Sequence, residues 1–332
     1  MRIAIDVMGG DHAPKAQIAG AMAAVRSFKD IEFTLIGDET EILKHLSDKK
    51  QMTILHTTEM IDDEDTPTKA VRKKKDSSMV LAVREVKEGR ADACISSGNT
   101  GALMTAGLLH IGRIPGIERP SLAPMLPTIS GEGFLLLDVG ANMDAKASHL
   151  LQNAIMGSIY MEKVKKMDRP RVGLVNVGTE EGKGNELTKQ AHQLLSAAPI
   201  NYIGSVETRG LLEGGCDVVV CDGFSGNLLL KSIEGTAKTI FNLLKQEMNS
   251  SLPNKLAAGV LKNSFKSIGE KMNYVHYGGA ALFGLKAPVI KAHGSSDHVA
   301  IFHAIRQARQ MVEENVTSVI QKEVQQQQEE SQ

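Results

Sequence analysis

Repeatedly along this chain a short apolar run ends in a loop of Gly, Ser, Asn and Asp, and a helical pattern begins at once. Residues 3–7 run into Met8, Gly9, Gly10 and Asp11, residues 93–96 into Ser97, Gly98, Asn99 and Thr100, and residues 134–139 into Gly140, Ala141 and Asn142. Residues 172–177 lead into a loop that carries Gly178, Lys183 and Asn185, and residues 218–221 into Asp222, Gly223, Phe224, Ser225, Gly226 and Asn227. Strand followed by helix, many times over, implies crossover connections and a largely parallel sheet with helices on both faces. With further apolar runs at 33–36, 53–56, 200–204 and 288–290, the expected fold is α/β: a three-layer α/β/α sandwich. Ligands of such sheets bind beyond the carboxyl ends of the strands, where these loops lie. A helix start presents unpaired amides and the positive end of the helix dipole, so several side by side make an anion site, and phosphate is the expected anion.

Composition narrows the field of partners. A formal net charge of −1 gives no general attraction to nucleic acid, and 4% aromatic residues with no Trp offer little base stacking, so nucleic acid is not an expected partner. Cys94, Cys216 and Cys221 lack metal-ligand spacing and suit a reducing cytosol. No apolar run approaches the roughly 18 residues of a spanning helix, and no basic-then-apolar leader stands at the start, so a cytoplasmic location is expected. Residues 1–322 read as one catalytic unit with two lobes; residues 323–332, Gln and Glu with almost nothing apolar, read as a disordered tail or frayed helix end.

The familiar catalytic signatures fail for definite reasons. Gly178-x-x-x-Gly182-Lys183-Gly184 is one residue short of a Walker loop and lacks its Ser/Thr, and Gly9-Gly10-Asp11-His12 lacks the third glycine of a dinucleotide fingerprint. Gly223-Phe224-Ser225-Gly226-Asn227 departs from a nucleophile elbow at its fifth position, which leaves Ser225 as a helix cap. What remains is loop amides, the side chains of Asn99, Asn142, Asn185 and Asn227, Lys183, and the carboxylates Asp6, Asp11, Asp138 and Asp222. Such a set suits substrate-borne chemistry: phosphate carries its own nucleophilic oxygen, so the protein need only position it and stabilise an oxyanion. No cofactor or metal is expected. Each aspartate either does chemistry or braces a loop. His293 either protonates a leaving group or caps the last helix.

Two basic patches stand out. Arg72, Lys73, Lys74 and Lys75 form either a solvated surface or a dock for an acidic macromolecule. From Leu252 to Ile268, at roughly 100° per residue, Leu256, Ala257, Val260, Leu261, Phe265 and Ile268 share one half of a helical wheel and Lys255, Lys262 and Lys266 the other. An apolar half facing a lysine ridge fits a helix lying in an anionic membrane interface; the alternative is packing against the body or a second copy.

Taken together, residues 3–11, 71–79, 96–102, 138–142 and 222–227 closely resemble the bacterial phosphate acyltransferases, and the resemblance runs from Met1 to about Val316. It implies transfer of a long acyl chain from acyl carrier protein to inorganic phosphate, giving acyl phosphate for phospholipid synthesis. It also implies a homodimer with a fold like the isocitrate and isopropylmalate dehydrogenases and the phosphotransacetylases, in which two intertwined lobes share one mixed sheet. With that reaction in view, the chemistry of the loops themselves makes Lys183, Asn227 and His293 the expected catalytic residues. Gly9, Gly10, Asp11, Ser97, Gly98, Asn99, Thr100, Asn142, Gly178, Asn185, Asp222 and Ser225 are expected around the phosphate and the substrate. Residues 72–75 would dock the acidic carrier, and Leu252, Leu256, Val260, Leu261 and Phe265 would touch the inner face of the cell membrane, where a membrane acyltransferase would consume the product.

Overall fold

The computed structural model describes residues 1–271 and 277–330, the last four as backbone alone. Strand β1 (Arg2–Asp6) leads to helix α1 (Lys15–Ser27), β2 (Glu32–Gly37), α2 (Glu39–His45), β3 (Met52–His56), α3 (Pro67–Lys73) and α4 (Ser78–Lys87). Next come β4 (Ala93–Ser96) and α5 (Thr100–Ala106), which continues as a π-helical turn (Gly107–Ile111). Short strands β5 (Ser121–Ala123), β6 (Met125–Leu126) and β7 (Phe134–Leu137) are followed by α6 (Ala147–Lys163), β8 (Val172–Val175), α7 (Glu186–Ala197), β9 (Tyr202–Val206) and β10 (Val218–Val220). A helical hairpin of α8 (Gly223–Asn249) and α9 (Leu252–Lys271) precedes β11 (Ala280–Phe283), β12 (Val289–Lys291), α10 (His298–Glu313) and α11 (Val316–Glu330).

Every apolar run expected as a strand forms one. Strands β5, β6 and β11 are additional, and at two to four residues they are too short to show a period of two. The strand orders are β3-β2-β1-β4-β12-β11-β5 and β6-β7-β10-β8-β9. Among the described pairs the antiparallel ones are β11 with β12 and β5, and β6 with β7. One shared sheet was the expectation; two ladders are found, divided at Pro124, which has no amide to donate. They nevertheless meet edge to edge, since the Leu136 amide donates to Pro124 O and the Val139 amide to Leu122 O, each at 3.0 Å. The chain builds the first lobe, then the second, and returns with β11 and β12 beside β4, so the lobes are intertwined.

Alternation along the strands sorts the core. Ile3 and Ile5 of β1 pack with Ile18 of α1 and Ile301 of α10, while Ala4 between them faces Val80 and Val83 of α4 and Leu103 of α5. Leu135 and Leu137 of β7 join the first of these clusters, and Phe134 and Leu136 a third one beneath α8. The carboxyl-terminal segment departs from expectation. Val316, Ile320 and Val324, four residues apart, are buried in the core, so α11 holds residues 323–330 as helix; residues 331 and 332 lie outside the described residues.

Close approach makes two glycines in α8 obligatory, and at the first of them, Gly223, a Cβ would stand 2.5 Å from the Asn142 carbonyl oxygen. A Cβ at Gly226 would drive into the Asp138 carbonyl oxygen and come within 2.9 Å of Cys221 Sγ, whereas a Cβ at Gly235 of the same helix meets nothing within 4 Å. Gly226→Ala should therefore cost about 3 kcal/mol of stability by overpacking, and Gly235→Ala should gain about 0.5–1 kcal/mol by helix propensity. Urea unfolding at constant m-value checks both.

Candidate functional site

Where the two ladders meet, a pocket of about 400 Å³ opens at the carboxyl ends of the strands. The loop after β4 contributes Ser97, Gly98, Asn99 and Thr100. Helix α8 contributes Asn227, Lys231 and Glu234, whose spacing of four and three residues puts them on one face. The end of β12 contributes Lys291, and the segment after it His293 and Gly294. Of the expected catalytic trio, Asn227 and His293 thus share one pocket.

Lys183 stands outside it. Strand β8, from which its loop springs, lies beyond β10 from β7, about 10 Å further across the sheet at one strand spacing per step. Lys183 is exposed, and its carbonyl accepts from Asn176 Nδ2 at 3.1 Å. Asn185, Asp222 and Ser225 line a separate cleft of about 740 Å³, and Gly178 sits on the loop that carries Lys183. Asp222, not Ser225, caps α8: it accepts from the Ser225 amide at 2.9 Å and from Ser225 Oγ at 2.7 Å. Asn185 likewise caps α7 through the Thr188 amide.

Several other expected ligand residues brace the pocket from behind. At Gly9 a Cβ would stand 2.6 Å from the Gly98 amide nitrogen, and at Gly10, with φ of +95°, 2.9 Å from Gly294 O; the glycines let loops pack backbone to backbone. The Asp11 amide donates to Gly294 O at 2.8 Å. Asp6 accepts from Ser96 Oγ at 2.6 Å and the Met8 amide at 3.1 Å. Asp138 is 1% exposed and accepts from the amides of Leu122, Ala141 and Asn142 and from Asn142 Nδ2, while burial pushes its carboxyl up from the ordinary aspartate value. Asn142 Nδ2 also donates to Pro120 O, which ties down the β7 loop. Asn99 caps α5, accepting from the Ala102 amide, and donates to Asp63 O. Loop bracing is therefore what these carboxylates visibly do.

Lys291 is the residue that motif reading passes over. It ends β12 and is 8% exposed, and its Nζ donates to Ser97 O at 3.3 Å and to the Ala292 carbonyl. Neither partner carries a charge. Burial pulls the amine down to about 8, with Asp63, Asp6 and Asp11 drawing it back up and Lys231 opposing them. The available signal was a lysine that closes an apolar strand two residues before His293. His293 Nδ1 accepts from the Ser295 amide at 3.2 Å and lies 2.9 Å from Ser295 Oγ, so the neutral ring carries its proton on Nε2. Burial holds its pKa below the ordinary histidine value. The cap of α10 is Asp297, which accepts from the Val299 and Ala300 amides.

Both basic patches are visible. Lys74 is spoken for by Asp65 at 2.5 Å and Asp62 at 3.3 Å, which leaves Arg72, Lys73 and Lys75 as the exposed charges. Helix α9 buries none of its residues: Leu252 is 72% exposed, Leu256 67%, Val260 85% and Leu261 47%, with Phe265 half-buried. Among the described residues no helix is long and apolar enough to cross a membrane.

Residues 1–319 match a family model described as fatty acid synthesis protein. The phosphate acyltransferase of Shouchella clausii is 64% identical over 320 residues, covering 96% of this chain and 97% of that protein. Among solved structures, a phosphotransacetylase from Streptococcus pyogenes aligns with a TM-score of 0.63 at 17% identity over 95% of this chain and 94% of that one. A 4-hydroxythreonine-4-phosphate dehydrogenase from Klebsiella pneumoniae aligns at 0.52 and 11% identity, covering 94% and 98%. At those identities the two structures report on the fold alone.

A buried amine has a stability signature. Lys291 is uncharged in the fold above about pH 8 but charged in the unfolded chain up to its ordinary value of 10.5, so its desolvation penalty is full below about 8 and fades between the two. Removing the charge as Lys291→Met should raise unfolding free energy at pH 7 by up to about 3 kcal/mol. The gain should shrink toward pH 10, and denaturant unfolding at both pH values checks the sign.

Proposed function

The chain belongs to the fatty acid synthesis protein family and is a phosphate acyltransferase of lipid synthesis, and on that premise we propose that it moves a long acyl chain from acyl carrier protein to inorganic phosphate by direct attack. The observation that carries this reading is the Lys291 ammonium, buried against two uncharged carbonyls and bordering the pocket. The carboxylates of Asp63, Asp6 and Asp11 offset its burial only in part, and a phosphate dianion between Lys291 and the loop of Ser97, Gly98, Asn99 and Thr100 supplies the direct partner.

The step then balances with phosphate as the only nucleophile. A phosphate oxygen adds to the thioester carbonyl, Asn227 Nδ2 donates to the oxyanion, and the carbon–sulfur bond breaks as the acyl phosphate forms. The departing thiolate takes its proton from the phosphate, while the Nε2–H of neutral His293 donates a hydrogen bond to the sulfur. The side chains that would support a covalent intermediate are poorly placed for it. Burial pushes the thiols of Cys94 and Cys221 far up and that of Cys216 to about 12, and Ser225 Oγ donates its hydrogen bond to the Asp222 carboxylate.

Arg72, Lys73 and Lys75 supply the docking charge for an acidic carrier protein. The exposed apolar residues of α9 and its lysines suit reversible contact with an anionic membrane surface, where an acyltransferase takes up the acyl phosphate; a second copy of the chain completes the assembly.

Palmitoyl carrier protein and labelled phosphate should give a lipid-soluble, hydroxylamine-sensitive product; label that never enters such a product would sink the reading. Lys291→Met should raise the KM for phosphate by about 10- to 100-fold, the worth of one charge-assisted bond, with the KM for the acyl donor changed by less than about twofold. In the parent enzyme kcat/KM for phosphate should fall as the pH passes about 8, where the Lys291 charge is lost. For the membrane contact, Leu256→Glu combined with Val260→Glu should abolish flotation with phosphatidylglycerol vesicles, and unchanged flotation would defeat it.

A further inference from the structure

The pocket has a second mouth. Leu126, Lys231, Glu234 and His293 border both the pocket and an adjoining groove of about 610 Å³. Past these shared residues the walls are mainly apolar, with Ile233, Ala237 and Phe241 from α8, Pro127 after β6 and Gly269 of α9, and Lys238 and Ser295 as the polar members. At 100° per residue Leu230, Glu234, Ala237 and Phe241 fall within about 60° of one another, so one stripe of α8 forms the floor. From Leu230 to Phe241 that floor rises about 16 Å at 1.5 Å per residue.

We propose that this groove is the acyl-chain subsite, an inference that rests on the acyl-to-phosphate reading above. With the thioester carbon between Asn227 and His293, the alkyl tail must leave the polar pocket, and the groove is the continuation that shares its walls. The tail lies along α8 toward Phe241, with the end of α9 across from it. Burial of each methylene is worth roughly fourfold in affinity, so the depth of the groove sets which chain lengths are preferred. Ala237 lies midway along the floor and Phe241 at its far end, which gives each a distinct effect on chain length.

The test compares palmitoyl and octanoyl carrier protein as donors. Ala237→Phe, which blocks the groove midway, should lower kcat/KM for the palmitoyl donor at least tenfold and for the octanoyl donor far less. Phe241→Ala should shift preference toward chains longer than palmitoyl. Thr236→Phe, of the same bulk on the opposite side of α8, should leave the palmitoyl-to-octanoyl ratio as in the parent. If Ala237→Phe lowers both donors equally while Phe241→Ala leaves the ratio unmoved, the groove assignment alone is overturned. If the substitutions change the oligomeric state and not the ratio, the groove is an interface between copies and the assignment also falls. A parent enzyme that transfers neither chain to phosphate overturns both the assignment and the reading beneath it.

Discussion

A charged amine kept out of water is the constraint around which this site is arranged. Lys291 ends β12, which is inserted between β4 and β11 with neighbours on both edges, and its side chain borders the pocket, buried from solvent. Desolvating an ammonium costs several kcal/mol unless something offsets it, and the two carbonyls found there do so only partly. The fold tolerates the cost because the surrounding loops are fixed independently, by glycine contacts, by Asp6 and by Asp138. Stability is given up at one residue and recovered in the scaffold around it, the usual relation between a functional site and its fold.

That division of labour also explains which residues the sequence revealed and which it concealed. Apolar runs that end in small polar loops identified nine strands and the side of the sheet on which a ligand would sit, because strand periodicity and loop chemistry are local. Which loops come together is not local. Loops after β4 and β12 touch although nearly 200 residues separate them, and the loop after β8 goes elsewhere although its Lys183 looks the better phosphate ligand. The order of strands decides this, and strand order is a property of the whole chain.

The same reasoning accounts for individual residues. Asp138 and Asn142 resemble catalytic groups by type, yet their hydrogen bonds go to their own loop, to Leu122 and to Pro120. Lys291 was hidden by its company, since a lysine that ends Val-Ile-Lys is easily read as the solvated tip of a strand. The last helix was hidden by its composition: glutamines on the outer side of α11 obscure Val316, Ile320 and Val324 on the inner one.

The late return of the chain has a consequence for its birth on the ribosome. Ser97 is made early, but the amine that faces it is 194 positions further on, and the strand that carries it slots between two places left by earlier segments. At roughly 5–20 residues per second, an emerging chain spends about ten seconds or more with β4 made and its neighbour missing. During that interval one edge of β4 has only unpaired backbone to show, a template for wrong partners until β12 arrives. The segment that brings the cation to the pocket is thus also the one that closes the first lobe.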